Sequence, residues 1–230
     1  MSTDTPPTAS EFPPPPLPPR PVRPPRVPPE PFALADITAS WTQPLKLIDL
    51  VIAGPARIAN NVERSQALWP LAIALTLASI AFAVPYGCVI GADTWWSAWW
   101  RVIVLCLGST LICLPSLHVF SGYLGLRTSF AQILVLGLTI PAVAAVFTFG
   151  FAPILGFLRA TMDSDSNAVS WRAISVVLLV LALLAGVGQL WRCFAATPGI
   201  ASRLPFFIVL LAWHWVFVHV LLRMGNVLGL

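Results

Sequence analysis

The run "FAQILVLGLTIPAVAAVFTFGFAPIL", Phe130 to Leu155, contains no Asp, Glu, Lys or Arg in 26 residues. A helix needs about 20 such residues to cross a hydrocarbon core of ~30 Å, so this run reads as a membrane span. Pro141 in mid-run predicts a kink, because an interior proline deletes one backbone hydrogen bond and crowds the preceding turn. Working outward, four further runs read the same way: about Ala67 to Tyr86, Ala98 to Leu117, Trp171 to Leu190 and Leu204 to Leu222. Composition agrees. Of 230 residues, 57% are hydrophobic and 10% charged, whereas soluble domains carry about 25% charged residues.

Ahead of the spans the pattern changes twice. Residues 1–35 hold fourteen of the 23 prolines. Each proline fixes φ and removes a donor, so this segment is expected to be a disordered, extended polyproline II tail. Two stretches in it, "PPLPPR" (Pro15, Pro18, Arg20) and "PVRPPR" (Pro21, Pro24, Arg26), fit the P-x-x-P-x-Arg pattern read by aromatic grooves. They mark a candidate docking motif for a cytoplasmic partner; the alternative is a spacer. Residues 36–66 follow as juxtamembrane amphipathic helices. In "WTQPLKLIDLVIAGPARIANNVER" (Trp41–Arg64), Leu45, Ile48, Ile52, Pro55, Ile58 or Ala59, and Val62 recur at helical spacing, with Lys46, Asp49, Arg57, Asn60, Asn61 and Arg64 mostly opposite. Such a segment lies in the membrane interface, or else binds a partner, and Pro55 should divide it into two short helices. Residues 67–230 form the transmembrane domain. The expected fold is therefore an all-α polytopic bundle of about five transmembrane helices, preceded by interfacial helices and a Pro-rich tail.

Net charge is +4, from twelve Arg and one Lys against nine acidic residues. The basic residues sit at helix ends, as lipid headgroups require, and no nucleic-acid site is read into them. Their bias favours a cytoplasmic amino terminus and an outward carboxyl terminus. The first residues lack the layout of a signal peptide, so the spans themselves should drive insertion. Cys88, Cys106, Cys113 and Cys193 show no CxxC or zinc spacing, and read as small buried fillers. Ala83-x-x-x-Gly87, Ala152-x-x-x-Gly156 and Ala182-x-x-x-Gly186 would let helices approach closely.

The stretch "DTWWSAWWRVIVL" (Asp93–Leu105) packs four tryptophans into six residues. Trp95 with Trp99, and Trp96 with Trp100, are i, i+4 pairs on a helix. With Arg101 and Trp171 they read as interfacial anchors, an apolar body with one donor at headgroup depth; the alternative is an aromatic cage. His214, in "LLAWHWVFVHVLLR", lies eleven residues after Arg203 and nine before Arg223, hence ~15 Å from either end at 1.5 Å per residue. It is the one imidazole near the midplane, and Ser109, Thr139 and Thr148 are hydroxyls within the same apolar runs. Together they are the candidate intramembrane polar site. His219 is five residues on and does not share its face, so no metal pair forms. Ser116 and His118 are close in sequence but read as coincidence and not as a catalytic dyad. No phosphate loop, HExxH or G-x-S-x-G is present. No metal, cofactor or catalytic residue is expected.

The stretch "ICLPSLHVFSGYLGLRTSFAQILVLGL" (Ile112–Leu138), with "LKLIDLVIAGPARI" (Leu45–Ile58), resembles the bacterial branch of the YIP-type five-pass membrane proteins. The matching positions are Pro115, Ser116, Leu117 and Phe120, with Gly122 and Gly125 behind them, and "GFAPILGF" (Gly150–Phe157) is similar to the stretch after the third span. The resemblance implies a cytoplasmic amino-terminal tail, five spans and a bacterial inner membrane as the location, without an established activity. The tyrosine-glycine motif of eukaryotic members is missing ahead of the first span, so their role in membrane traffic is not carried over. The leading expectation is a non-enzymatic scaffold or accessory subunit of a membrane complex, with lipids and other membrane proteins as partners. The alternatives are a channel or permease component using His214, and a haem- or pigment-binding subunit.

Overall fold

A computed structural model describes residues 30–90, 95–123, 128–161, 168–195, 208, 212–220 and 223–224. Among these there is no strand. Three short helices, α1 (Leu34–Ser40), α2 (Pro44–Ile52) and α3 (Pro55–Glu63), lead into four long ones: α4 (Leu68–Ile90), α5 (Trp95–Tyr123), α6 (Phe130–Thr161) and α7 (Ala168–Ala195). The long helices contain stretches long and apolar enough to cross a membrane, and the chain is an integral membrane protein. The 23 residues of α4 span about 35 Å at 1.5 Å per residue.

Five spans were expected, and four helices meet that description among the described residues. The fifth run, 204–222, lies partly outside them; its continuous described part, 212–220, is helical but too short to span. It packs along α5. The Trp213 indole N–H donates to the Cys113 carbonyl at 3.1 Å, Phe217 stacks on Trp213 at 5.6 Å, and the Ser109 hydroxyl reaches Met224 Sδ at 3.4 Å.

The centre is α6. In its most apolar window 78% of residues are buried, against 33% in α7, and α4, α5 and α7 all pack on it. Pro141 and Pro153 lie inside it and the helix continues through both. Two of the three small-residue pairs bring backbones together. A Cβ at Gly186 would stand 2.5 Å from the Ile140 carbonyl oxygen, and one at Gly87 would stand 2.8 Å from the Trp99 backbone. Gly156 has nothing within 4 Å, so the Ala152 pair makes no such contact.

Successive long helices run antiparallel, which sorts their ends. Arg159, in the last turn of α6, donates to the final carbonyls of α4, Val89 (3.0 Å) and Ile90 (3.3 Å), replacing partners those carbonyls lack at a helix end. Tyr86, late in α4, donates to the Ser175 carbonyl early in α7. At the opposite end lie α1–α3, the starts of α4 and α6, and the end of α7. The short helices form a platform there: α1 packs on α2 and α4, α2 on α4 and α6, and α3 on α6 and α7.

Pro55 does divide the segment. Pro44 and Pro55 each begin a helix, the first-turn position where a missing N–H costs nothing. The inward face of α2 differs from the expected one, however. Leu47, Leu50 and Val51 are buried, Leu45 and Ile52 are exposed, and Ile48 is half-buried. The helix "PLKLIDLVI" is apolar on both sides, so spacing alone did not choose the face. In α3, Ile58, Ala59 and Val62 are buried as expected, but so is Asn61, which the pattern placed with the polar residues.

Candidate functional site

A set of buried polar contacts lies at the platform, where unsatisfied backbone groups meet side-chain amides. A helix leaves its last four carbonyls without partners. The Val51 carbonyl near the end of α2 has an added difficulty: the residue four positions on is Pro55, which has no N–H to offer. Gln189 of α7 supplies the donor, its Nε2 lying 3.1 Å from Val51 O. The neighbouring Cys193 thiol points to the Pro55 carbonyl at 3.4 Å. Near the end of α3, the Val62 carbonyl receives Gln132 Nε2 at 2.6 Å, and the same nitrogen reaches the Ser65 hydroxyl at 3.1 Å.

Gln132 is held by the start of its own helix. Ser129 and Gln132 form a capping box: the Ser129 N–H donates to Gln132 Oε1 at 2.6 Å, and the Gln132 N–H donates to Ser129 Oγ at 3.4 Å. One amide thus starts α6 with its oxygen and fastens α3 with its nitrogen. The S-x-x-Q spacing before an apolar run was a readable signal for this.

Asn61 is the second node, with no exposed surface. Its Oδ1 accepts the Phe32 N–H at 2.7 Å, while Nδ2 donates to the Phe32 carbonyl at 3.1 Å and to the Gln66 carbonyl at 3.3 Å. The Gln66 N–H returns to the Asn61 carbonyl at 2.9 Å. Between α3 and α4 the chain passes through Ser65 (φ 54°) and Ala67 (φ 51°), a left-handed conformation that residues with a Cβ adopt at a cost of about 1–3 kcal/mol each. Phe32 itself is buried. Arg57 lies 4.0 Å over its ring and donates through Nε to the Glu30 carbonyl at 3.1 Å.

Ser109 and Thr139 are fully buried and Thr148 nearly so. Thr139 and Thr148 turn their hydroxyls back to Leu136 and Ala145 of their own helix, at 2.6 and 2.9 Å, and Ser109 meets Met224. His214 packs its ring edge-on against Trp213 at 5.2 Å. The Ser116 hydroxyl donates to the Cys113 carbonyl at 2.6 Å, and His118 packs edge-on to Phe130 at 6.0 Å. Cys106, Cys113 and Cys193 are buried as expected, Cys88 is only half-buried, and none of the four forms a disulfide. Among the described residues no three His, Cys, Asp or Glu side chains gather as metal ligands would.

Of the anchors, Trp100 is exposed, Trp99 and Arg101 are half-buried, and the side chains of Trp95, Trp96 and Trp171 lie outside what is described. At the platform end Trp69 and Trp41 are also exposed, together with Leu34, Leu45 and Ile52. The proline-rich motifs at Pro15, Pro18, Arg20, Pro21, Pro24 and Arg26 lie outside the described residues.

No protein-family model matches the chain, and no curated protein or solved structure matches it either. The resemblance to the YIP-type proteins therefore rests on the stretches Leu45–Ile58, Ile112–Leu138 and Gly150–Phe157 alone.

Proposed function

We propose that the protein is a non-enzymatic membrane scaffold or accessory subunit, with a proline- and arginine-rich arm for a cytoplasmic partner. One observation carries the reading: the root of the arm is fastened. Asn61 holds both backbone groups of Phe32, and Arg57 covers its ring, so residues 1–29 depart from a fixed point on the bundle. An arm with a fixed root and two P-x-x-P-x-Arg patterns suits presentation of a ligand at a set place on a membrane. The buried amides at this end are all engaged structurally, Gln132 and Gln189 between helices and Asn61 on the segments flanking them, which suits a platform better than a reaction site.

Partners within the membrane would meet the outward face of α7, where Val176, Val177, Val180, Leu181 and Leu184 are exposed and nothing lies within 4 Å of a Cβ placed at Gly188. The exposed Leu34, Trp41, Leu45, Ile52 and Trp69 fit a platform seated in the headgroup layer. The arginine distribution supports a cytoplasmic platform, and the resemblance to bacterial five-pass proteins supports a bacterial inner membrane. The test is native mass analysis after gentle extraction from the source membrane. A mass above one chain, reduced when Pro15, Pro18 and Arg20 are replaced by Ala, supports the reading; a lone monomer in both cases sinks it.

A further inference from the structure

Glu30–Phe32 is held the way a bound peptide is held. The Asn61 carboxamide takes both the N–H and the carbonyl of Phe32, the two groups an added β-strand would use to bind an extended chain. The Phe32 ring occupies a notch that exists because residue 54 has no side chain: a Cβ on Gly54 would lie 2.6 Å from the ring. Arg57 closes the notch from above at 4.0 Å and takes the carbonyl two residues upstream. Gly54, Arg57 and Asn61 are spaced i, i+3, i+7, so a single face of α3 and its cap supplies all three.

The same Asn61 is bonded to Gln66 twice, through its side chain and its carbonyl. Gln66 sits between the two left-handed residues that lead into α4. When Phe32 leaves, a fully buried amide loses a donor and an acceptor together, and it must turn or admit water to recover them. Either movement disturbs its bond to Gln66.

We propose that Gly54, Arg57 and Asn61 form a docking site for an extended segment presenting a phenylalanine, filled in cis by Glu30–Phe32, and that filling it locks the Ser65–Ala67 hinge. The segment is exchangeable, so that a separate peptide of the same chemistry can take the place of the chain's own. This holds whether or not the motifs ahead of it dock a partner.

The experiment is residue-resolved amide exchange on the full chain in lipid nanodiscs, read at Phe32, Ser65 and Gln66. In Phe32→Ala, the Ser65 and Gln66 amides exchange about ten-fold faster or more, while amides around Val143 in α6 do not change. A peptide of sequence VPPEPFALA, residues Val27–Ala35, added at millimolar concentration, returns the hinge to within about two-fold of the unaltered protein. The same peptide with Ala at the Phe position does not. Unchanged hinge exchange in a folded Phe32→Ala protein overturns the proposal, and so does equal rescue by the two peptides. Should Phe32→Ala fail to fold, Arg57→Gln carries the test, since Phe32 and Asn61 remain. Exchange at Phe32 and Gln66 then rises together by about three-fold; a rise at Phe32 alone overturns the coupling.

Discussion

Where α6 meets α7 the contact is backbone on backbone, with Gly186 against the Ile140 carbonyl. Where the platform meets the bundle it is amide on carbonyl, Gln189 to Val51 and Gln132 to Val62, and within the platform Asn61 holds Phe32 the same way. The two places solve different problems. Within a lipid bilayer each span satisfies its own backbone, so helices associate through fit and small residues matter most. At the platform the chain breaks between α2 and α3 and again before α4, and every break strips carbonyls of their partners. Glutamine and asparagine from neighbouring helices restore them. Shape holds the spans, and hydrogen bonds hold the platform, so substitutions in the two places should fail in different ways.

The largest expected effect is in the spans. Gly186→Val drives a branched side chain into the Ile140 backbone, which cannot yield as a side-chain tip would. It should cost about 3 kcal/mol, roughly a 10 °C lower midpoint of thermal unfolding by circular dichroism in detergent. Gly156→Ala is the control, because nothing lies within 4 Å of it; its midpoint should stay level or rise, since Ala exceeds Gly as a helix former by about 1 kcal/mol. Equal losses at the two glycines would break the claim that fit governs the spans.

Next comes Asn61→Leu. Three backbone groups lose a buried partner, at about 1–3 kcal/mol for an unsatisfied group, and the release of Phe32 lets water recover part of this. A loss of about 2 kcal/mol is expected, with a signature Gly186→Val lacks: limited proteolysis should cut near Phe32 well before the spans unfold. Gln189→Leu is smaller again, about 1–2 kcal/mol, because one carbonyl is orphaned. Its loss should appear as faster amide exchange in α2 with α6 unchanged. If both variants lowered stability uniformly, with no local signature, platform and spans would be a single cooperative unit.

How far the arrangement could be read in advance follows the same division. Apolar runs long enough to span are visible in any sequence, and α5, α6 and α7 contain their expected runs while α4 starts one residue inside its own. Pro55 announced its break because proline acts through its own covalent structure. The face of α2 was not legible, since Leu45 and Leu47 are equally apolar and only tertiary packing distinguishes them. Asn61 was missed for a related reason: an asparagine among polar neighbours reads as solvated, and its burial depends on Phe32, 29 residues away. At the candidate intramembrane site, residue types showed that Ser109, Thr139, Thr148 and His214 would lie in apolar surroundings. They could not show that the Thr139 and Thr148 hydroxyls turn back onto their own helix.

Arg159 gives the smallest effect and the sharpest use of the comparison. Like the platform amides, it donates to carbonyls at a helix end, here Val89 and Ile90 of α4. Unlike them, it stands at the last turn of α6, half-buried, at the end of the bundle away from the platform. The carbonyls it serves are near the membrane boundary, where water or a lipid headgroup can replace it. Arg159→Gln keeps a donor of shorter reach and should cost less than about 1 kcal/mol, the ordinary net worth of one hydrogen bond. It should leave exchange in α4 unchanged except in the last turn. A cost equal to that of Asn61→Leu would mean that depth in the structure is not what separates the two ends, and that the terminal carbonyls of α4 are as dry as those of the platform.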